Sequence, residues 1–418
     1  MGISIRNTLL PDGRTASVTV EGERIAEIGR AREADVTIDG RGKALLPGFV
    51  NTHTHAAMTL LRGFADDMGL QEWLSMRIWP AEAKLTPDAI YWGTKLACLE
   101  MIRSGTTCFN DMYFHMDRAA QAVAETGIRG VLSEGFIDLN DPARAEEELR
   151  KTREVLRRIE AMRNPRVEPA VGPHAPYTVS EASLRELAEI ARAHDYLVHI
   201  HVSETEAEIT TAMKDHGRRP IEYLESLGVL SELVVAAHCC WVDDNEVRAL
   251  ARRGVAVAHC PVSNMKLATG RAMPLAAMRT AGMKVGLGTD GAASNNSLDM
   301  FDSMKVAALL HKFATNNPTA AKAHEVYEMA TLGGARALGL DAGEVAVGKL
   351  ADLVLVDLRR AGLVPMHDLI SNLVYAANGD CVDTVICDGR VVMRGRVVPG
   401  EAQILENAGA IAAKLAEA

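Results

Sequence analysis

The run "LVVAAHCC", Leu233–Cys240, is apolar without a break until a histidine near its end. A strand with one wet face alternates apolar and polar residues, whereas a strand buried on both faces does not. Seven other runs share this character: "ALLPGFV" (44–50), "TTCFNDM" (106–112), "RGVLSEGF" (129–136), "VEPAVGPH" (167–174), "YLVHIHVS" (196–203), "VAVAHCPVS" (255–263) and "KVGLGTDG" (284–291). Amphipathic helical stretches separate them. In "TPDAIYWGTKLACLEMIRSG" (86–105), Thr86 suits the N-cap, Pro87 the first helical position and Gly105 the stop. Eight strand–helix units predict an α/β protein, a (β/α)8 TIM barrel, with a doubly wound open sheet as the alternative.

The two ends read differently. "ASVTVEGERIAEIG" (16–29), "GKLADLVLVDL" (348–358) and "VDTVICDGRVVMRGRVV" (382–398) hold short runs broken by turns, as hairpins do. Residues 1–46 and 345–400 are expected to form one small β-sandwich domain. It would sit beside a barrel of residues 47–344, with a terminal helix over 401–418. A chain of 418 residues, 48% apolar and 24% charged, can bury a large core and has an ordinary globular composition. The net charge of -10 argues against a nucleic-acid or anionic-membrane partner, and no run reaches the ~18 apolar residues of a membrane span. Seven cysteines, an odd number without a Cys-x-x-Cys pair, read as reduced core thiols of a cytoplasmic protein. "MGISIRNTLL" has no secretory-signal pattern.

Barrel enzymes keep their chemistry at the C-terminal ends of the strands. His53 and His55 share one strand face, and taken alone they would also suit the wet end of a strand. However, His174, His199, His201, His238 and His259 stand at or near the ends of strands four to seven, and Asp290 closes strand eight. Zinc and similar ions take imidazole and carboxylate ligands and leave a position open for water. His53, His55, His201 and Asp290 supply that set. His199 has the parity of His201; His201 is read as the ligand because Glu204 follows it at turn spacing. "GLGTDG" (286–291) satisfies Gly-x-Gly-x-x-Gly, but a polar loop follows it where a dinucleotide site would open a helix. Its glycines are read as room for backbone passing close to Asp290.

"PGFVNTHTH", His201, His238 and "GTDG" together resemble the amidohydrolase superfamily over nearly the whole chain. "NDMYFH", "GPHAPY", "HVSET", "HCPVSNMKLATG" and "GTDGAASNNSLDMF" are similar to its methylthioadenosine/S-adenosylhomocysteine deaminase group, which includes 5'-deoxyadenosine deaminases. Strand four lacks the lysine or glutamate that bridges two metals in other members. The resemblance therefore implies one divalent metal per subunit, zinc first, with iron and manganese as alternatives. It implies hydrolytic deamination of a small-molecule nucleoside: 5'-deoxyadenosine, methylthioadenosine, adenosine or S-adenosylhomocysteine. Glu204 would protonate the ring nitrogen beside C6, Asp290 would take the proton of the attacking water, and His238 would orient that water. Substrate contacts carried over by resemblance are Glu82, His174, Trp73, Ser294 and Arg144. Where some members carry an arginine at the end of strand three, Glu134 stands here, which would disfavour the carboxylate of S-adenosylhomocysteine. The resemblance also implies a homo-oligomer, a dimer or tetramer. Rival readings are a deaminase or chlorohydrolase of another heterocycle (guanine, cytosine, triazine), and a scaffold without activity.

Overall fold

Two hydrogen-bonded sheets meet at Gly48 in the computed structural model, which describes residues 2–417. Before it, Lys43–Pro47 runs antiparallel to Leu353–Asp357 in a sheet shared by both termini. The other strands of this sheet are Gly2–Leu9, Thr15–Glu21, Arg24–Gly29 and Val36–Asp39 from the N-terminal side, and Val382–Cys387 and Arg390–Arg394 from the C-terminal side. Hydrogen bonding is continuous through all eight strands, and Ile3, Ile5, Val18, Val20, Leu353 and Ile386 bury its apolar face.

After Gly48 the chain enters the barrel. Its strands are β1 (Phe49–Thr54), β2 (Thr106–Tyr113), β3 (Arg129–Phe136), β4 (Val167–Pro173), β5 (Val198–Val202), β6 (Val234–His238), β7 (Ala256–His259) and β8 (Val285–Leu287). They pair in chain order, every neighbour parallel. All eight expected strands are present, with one correction: "ALLPGFV" is two strands, not one. The break has a steric reason. A Cβ on Gly48 would fall 2.1 Å from Thr107 Oγ1, so only glycine lets the chain cross β2 as it changes sheets.

The seam between β1 and β8 is closed by Thr52 Oγ1 donating to the Leu287 carbonyl (2.9 Å) and by the Asp290 N–H donating to the His53 carbonyl (3.0 Å). Helices α1 (Pro87–Arg103), α2 (Met116–Thr126), α3 (Pro142–Ala161), α4 (Glu181–His194), α5 (Glu206–His216), α6 (Asp244–Arg252), α7 (Leu275–Thr280) and α8 (Met300–Thr315) alternate with the strands. Thr86 caps α1 as read, its hydroxyl accepting the Ala89 N–H at 3.2 Å. A last helix, α9 (Glu401–Glu417), follows the terminal sheet; Met1 and Ala418 lie outside the described residues. Among the described residues, no helix is long and apolar enough to cross a membrane.

The two sheets are tied by a buried charge network. Arg129, opening β3, meets Asp352 at 3.2 Å and Asp388 at 3.1 Å, and Arg166 meets Asp388 at 3.2 Å.

Candidate active site

Alternation along β1 places His53 and His55 on one face, and β8 returns Asp290 to them across the seam. The Asp290 carboxylate lies 3.4 Å from His53 Nε2 and 3.3 Å from His55 Nε2, and His201 Nε2 lies 3.2 Å from His55 Nε2. Each ring is aimed by its other nitrogen. His55 Nδ1 donates to the Met112 carbonyl (2.6 Å) and His201 Nδ1 donates to the His174 carbonyl (2.8 Å), so both Nε2 atoms present bare lone pairs. His53 Nδ1 pairs with His199 Nε2 at 2.7 Å. His199 thus sits behind His53, and the buried His53 Nε2 has no hydrogen-bond partner.

This donor set fits a divalent cation. Burial, then the neighbouring imidazoles, hold His201 well below its ordinary pKa, and burial brings His55 down to about 4, so both are neutral ligands. Burial alone would raise Asp290, but the close His53, His55 and His238 rings lower it and keep it ionised. His53, His238 and Cys260 form a second grouping within reach of one another. Burial pushes the Cys260 thiol well above its usual range, which leaves it protonated and a poor ligand. The three histidines His53, His55 and His201 are the better grouping, with the Asp290 carboxylate beside two of them.

Above this cluster opens a cleft. Glu204 and His238 line its floor, with the Glu204 carboxylate 3.6 Å from His238 Nδ1. The Asn264 amide donates to the same Nδ1 at 2.9 Å and holds the ring. His238 and Asp290 both adopt left-handed backbone, with φ of 71° and 63°, a strain that clusters at functional sites. Burial, then Asp290 and Glu208, push Glu204 well above the ordinary carboxylate range. Glu82, His174, Trp73 and Ser294 also line the cleft. The insertion after β1 supplies Leu70, Trp73, Leu74 and Trp79 as one apolar wall. Burial lifts Glu82 to about 7, with the Tyr113 hydroxyl pulling the other way.

Two expected contacts are corrected. Glu134 points out of the cleft: it accepts the N–H groups of His115 (3.3 Å) and Met116 (2.8 Å) at the start of α2 and pairs with Lys151 at 3.2 Å. Its neighbour Gly135 lines the cleft instead, as strand alternation requires. Arg144 is exposed in the first turn of α3, away from the cleft lining. Sequence reasoning missed Tyr113 and Asn264, although both lie inside quoted motifs, "NDMYFH" and "HCPVSN". Nothing in their residue type marks them; Tyr113 closes β2 and Asn264 lies on the short helix Pro261–Lys266 after β7.

A family model described as "Amidohydrolase family" matches residues 44–392. The chain belongs to the amidohydrolase family. Within it, this amidohydrolase is 53% identical over 399 residues to a 5'-deoxyadenosine deaminase of Methanoregula boonei, covering 94% of this chain and 90% of that protein. It is 51% identical over 420 residues to 5-methylthioadenosine/S-adenosylhomocysteine deaminase 1 of Archaeoglobus fulgidus, covering 99% of each. Among solved structures, an adenosine deaminase from Xanthomonas campestris with bound zinc superposes with a TM-score of 0.93 at 36% identity, covering 100% of this chain and 98% of that one.

Proposed function

We propose that this amidohydrolase hydrolyses the 6-amino group from the adenine ring of 5'-modified adenosines, giving the inosine analogue and ammonia. The observation that carries this reading is the convergence of Glu204, His238 and Asp290 in the cleft, beside the His53, His55 and His201 imidazoles, two of them with bare Nε2 atoms. His53, His55, His201 and Asp290 would hold a divalent ion, which when bound would supply acidity by lowering the pKa of a water to roughly 7. Asp290, kept ionised, accepts a proton from the water whose oxygen bonds to C6. Glu204, kept protonated, gives its proton to the adjacent ring nitrogen, so negative charge does not build up in the ring. His238, fixed by Asn264, orients the water. The C6–N bond then breaks: the amine leaves as ammonia with the proton that Asp290 took, and the C6 hydroxyl gives up its proton, which restores the Glu204 acid, leaving the C6 carbonyl of the inosine analogue. Zinc is our first assignment for the ion, with iron and manganese as alternatives.

Glu82 is assigned to the ribose hydroxyls, His174 and Ser294 to further polar contacts, and Trp73 to the base. No Lys or Arg is among the residues lining the cleft. A neutral 5' group suits such a wall, whereas the carboxylate of S-adenosylhomocysteine finds no cation there. The preference thus rests on the whole lining, not on Glu134. We read the protein as a cytoplasmic homo-oligomer. All seven cysteines are free and buried, and Leu309 and Phe313 (89% exposed) stand one helical turn apart on α8.

The test is a spectrophotometric assay across adenosine, 5'-deoxyadenosine, methylthioadenosine and S-adenosylhomocysteine, with metal analysis of the purified protein. We expect stoichiometric divalent metal and higher kcat/KM for the three neutral nucleosides. S-adenosylhomocysteine as the best substrate would falsify the substrate assignment, and no turnover of any of the four would remove the activity itself.

A further inference from the structure

The turn that carries Glu204 is gripped by a carboxylate that no step above uses. Glu208, on α5, is only 6% exposed. Its Oε1 accepts the Ser203 N–H and its Oε2 accepts the Glu204 N–H, each at 2.8 Å. Ser203 is left-handed, with φ of 54°, a conformation that residues with a Cβ avoid. Its carbonyl accepts the Trp241 N–H at 2.8 Å, so the peptide leading into Glu204 is held from both sides.

Ordinary helix capping would give a different pattern. In a capping box the carboxylate of the third helical residue reaches back to the N–H of the N-cap residue itself. Helix α6 does this: Glu246 accepts the N–H of its N-cap Asp243 at 3.0 Å. At α5 the N-cap is Thr205, whose hydroxyl accepts the Glu208 N–H at 3.4 Å. The Glu208 carboxylate passes over Thr205 and takes the two residues before it. One of these is Glu204, whose side chain lines the cleft.

We infer that Glu208 is a positioning residue for the proton donor, fixing the Ser203–Glu204 turn so that the Glu204 carboxyl stays aimed into the cleft beside His238. Two bonds from one carboxylate to consecutive N–H groups define a backbone position more tightly than either alone. The inference rests on the proposed deamination and on Glu204 as the donor.

The test compares wild type, Glu208→Gln, Glu208→Asp and Thr205→Ala, measuring kcat and KM for 5'-deoxyadenosine, metal content and melting temperature. In Glu208→Gln one acceptor becomes a donor facing an N–H, so one bond is lost and the turn relaxes. We expect kcat to fall on the order of a hundredfold, with KM and metal content unchanged, because misplacing a reacting group by about 1 Å costs that much. Thr205→Ala removes the true cap; it should lower the melting temperature and leave kcat intact. If Glu208→Gln does not accumulate as folded protein, Glu208→Asp decides, since its shorter side chain reaches only one N–H and must show the kcat loss. Wild-type kcat in the folded Glu208 variant, with only a lowered melting temperature, overturns the inference. An inactive wild type overturns the proposed function instead.

Discussion

At the scale of single residues, neighbouring side chains divide two equally buried acids of the cleft into two chemical states. Asp290 is ringed by imidazoles and stays ionised, while Glu204, buried with Asp290 and Glu208 as its charged neighbours, keeps its proton. Pushing two carboxyls apart in this way supports our proposal of Asp290 as base and Glu204 as acid. Glu204→Gln removes the transferable proton but keeps the shape, so turnover should fall on the order of 10³-fold while metal content stays at the wild-type value. His201→Ala should lose both, which elemental analysis of the two purified variants separates. Glu82 titrates differently. Burial lifts it to about 7, so below that pH it carries a proton and above it both oxygens accept. If it binds two ribose hydroxyls, KM for 5'-deoxyadenosine should fall as pH rises through about 7. The same profile for Glu82→Gln should lose that step, and an unchanged profile would remove Glu82 from the ribose site.

At the scale of elements, strand parity explains both what the sequence reveals and what it hides. The eight uniformly apolar runs are legible because burial on both faces leaves no other composition. His53, His55 and His201 stand out because histidines collect at the ends of several runs; one pair alone would also suit the wet end of a strand. Glu134 is misread from sequence because a family position at a strand end does not say which face it takes; a one-residue shift moves the side chain behind the strand, onto the start of α2. Backbone supports such as the Met112 and His174 carbonyls leave no trace in residue type at all. The glycines of "GLGTDG" illustrate an inference that geometry carries further. A Cβ on Gly288 would lie 2.8 Å from His53 Cβ and 3.0 Å from Cys260 Sγ, at the seam where β8 delivers Asp290. Gly288→Ala should therefore cost about 1–3 kcal/mol by overpacking and weaken metal retention together. Thermal melts with and without chelator measure both, and a variant that melts and binds metal like wild type would mean the seam has slack.

At the scale of the whole molecule, the chain solves a joining problem. The terminal sheet is not a separate bead, since strands from both ends pair within it and the barrel runs between them. What fixes it to the barrel includes a charge network rather than apolar contact alone. Arg129 is almost fully buried and bonds Asp352 through Nε and Asp388 through Nη2; Asp352 in turn accepts the Asp388 N–H at 2.7 Å. Burying four charges, with Arg166 the second partner of Asp388, is repaid only if every partner stays in place. Arg129→Met keeps most of the volume but leaves Asp352 buried without a cation, so it should destabilise the protein by about 3–5 kcal/mol. The site should not notice. Arg129 opens β3, and the chemistry lies past the other ends of the strands, roughly 25 Å away along an eight-residue strand. Denaturant titration of the metal-loaded enzyme should show the lost stability, while kcat per folded molecule stays at the wild-type value. A matching fall in kcat would instead mean that the terminal sheet sets the geometry of the catalytic strand ends.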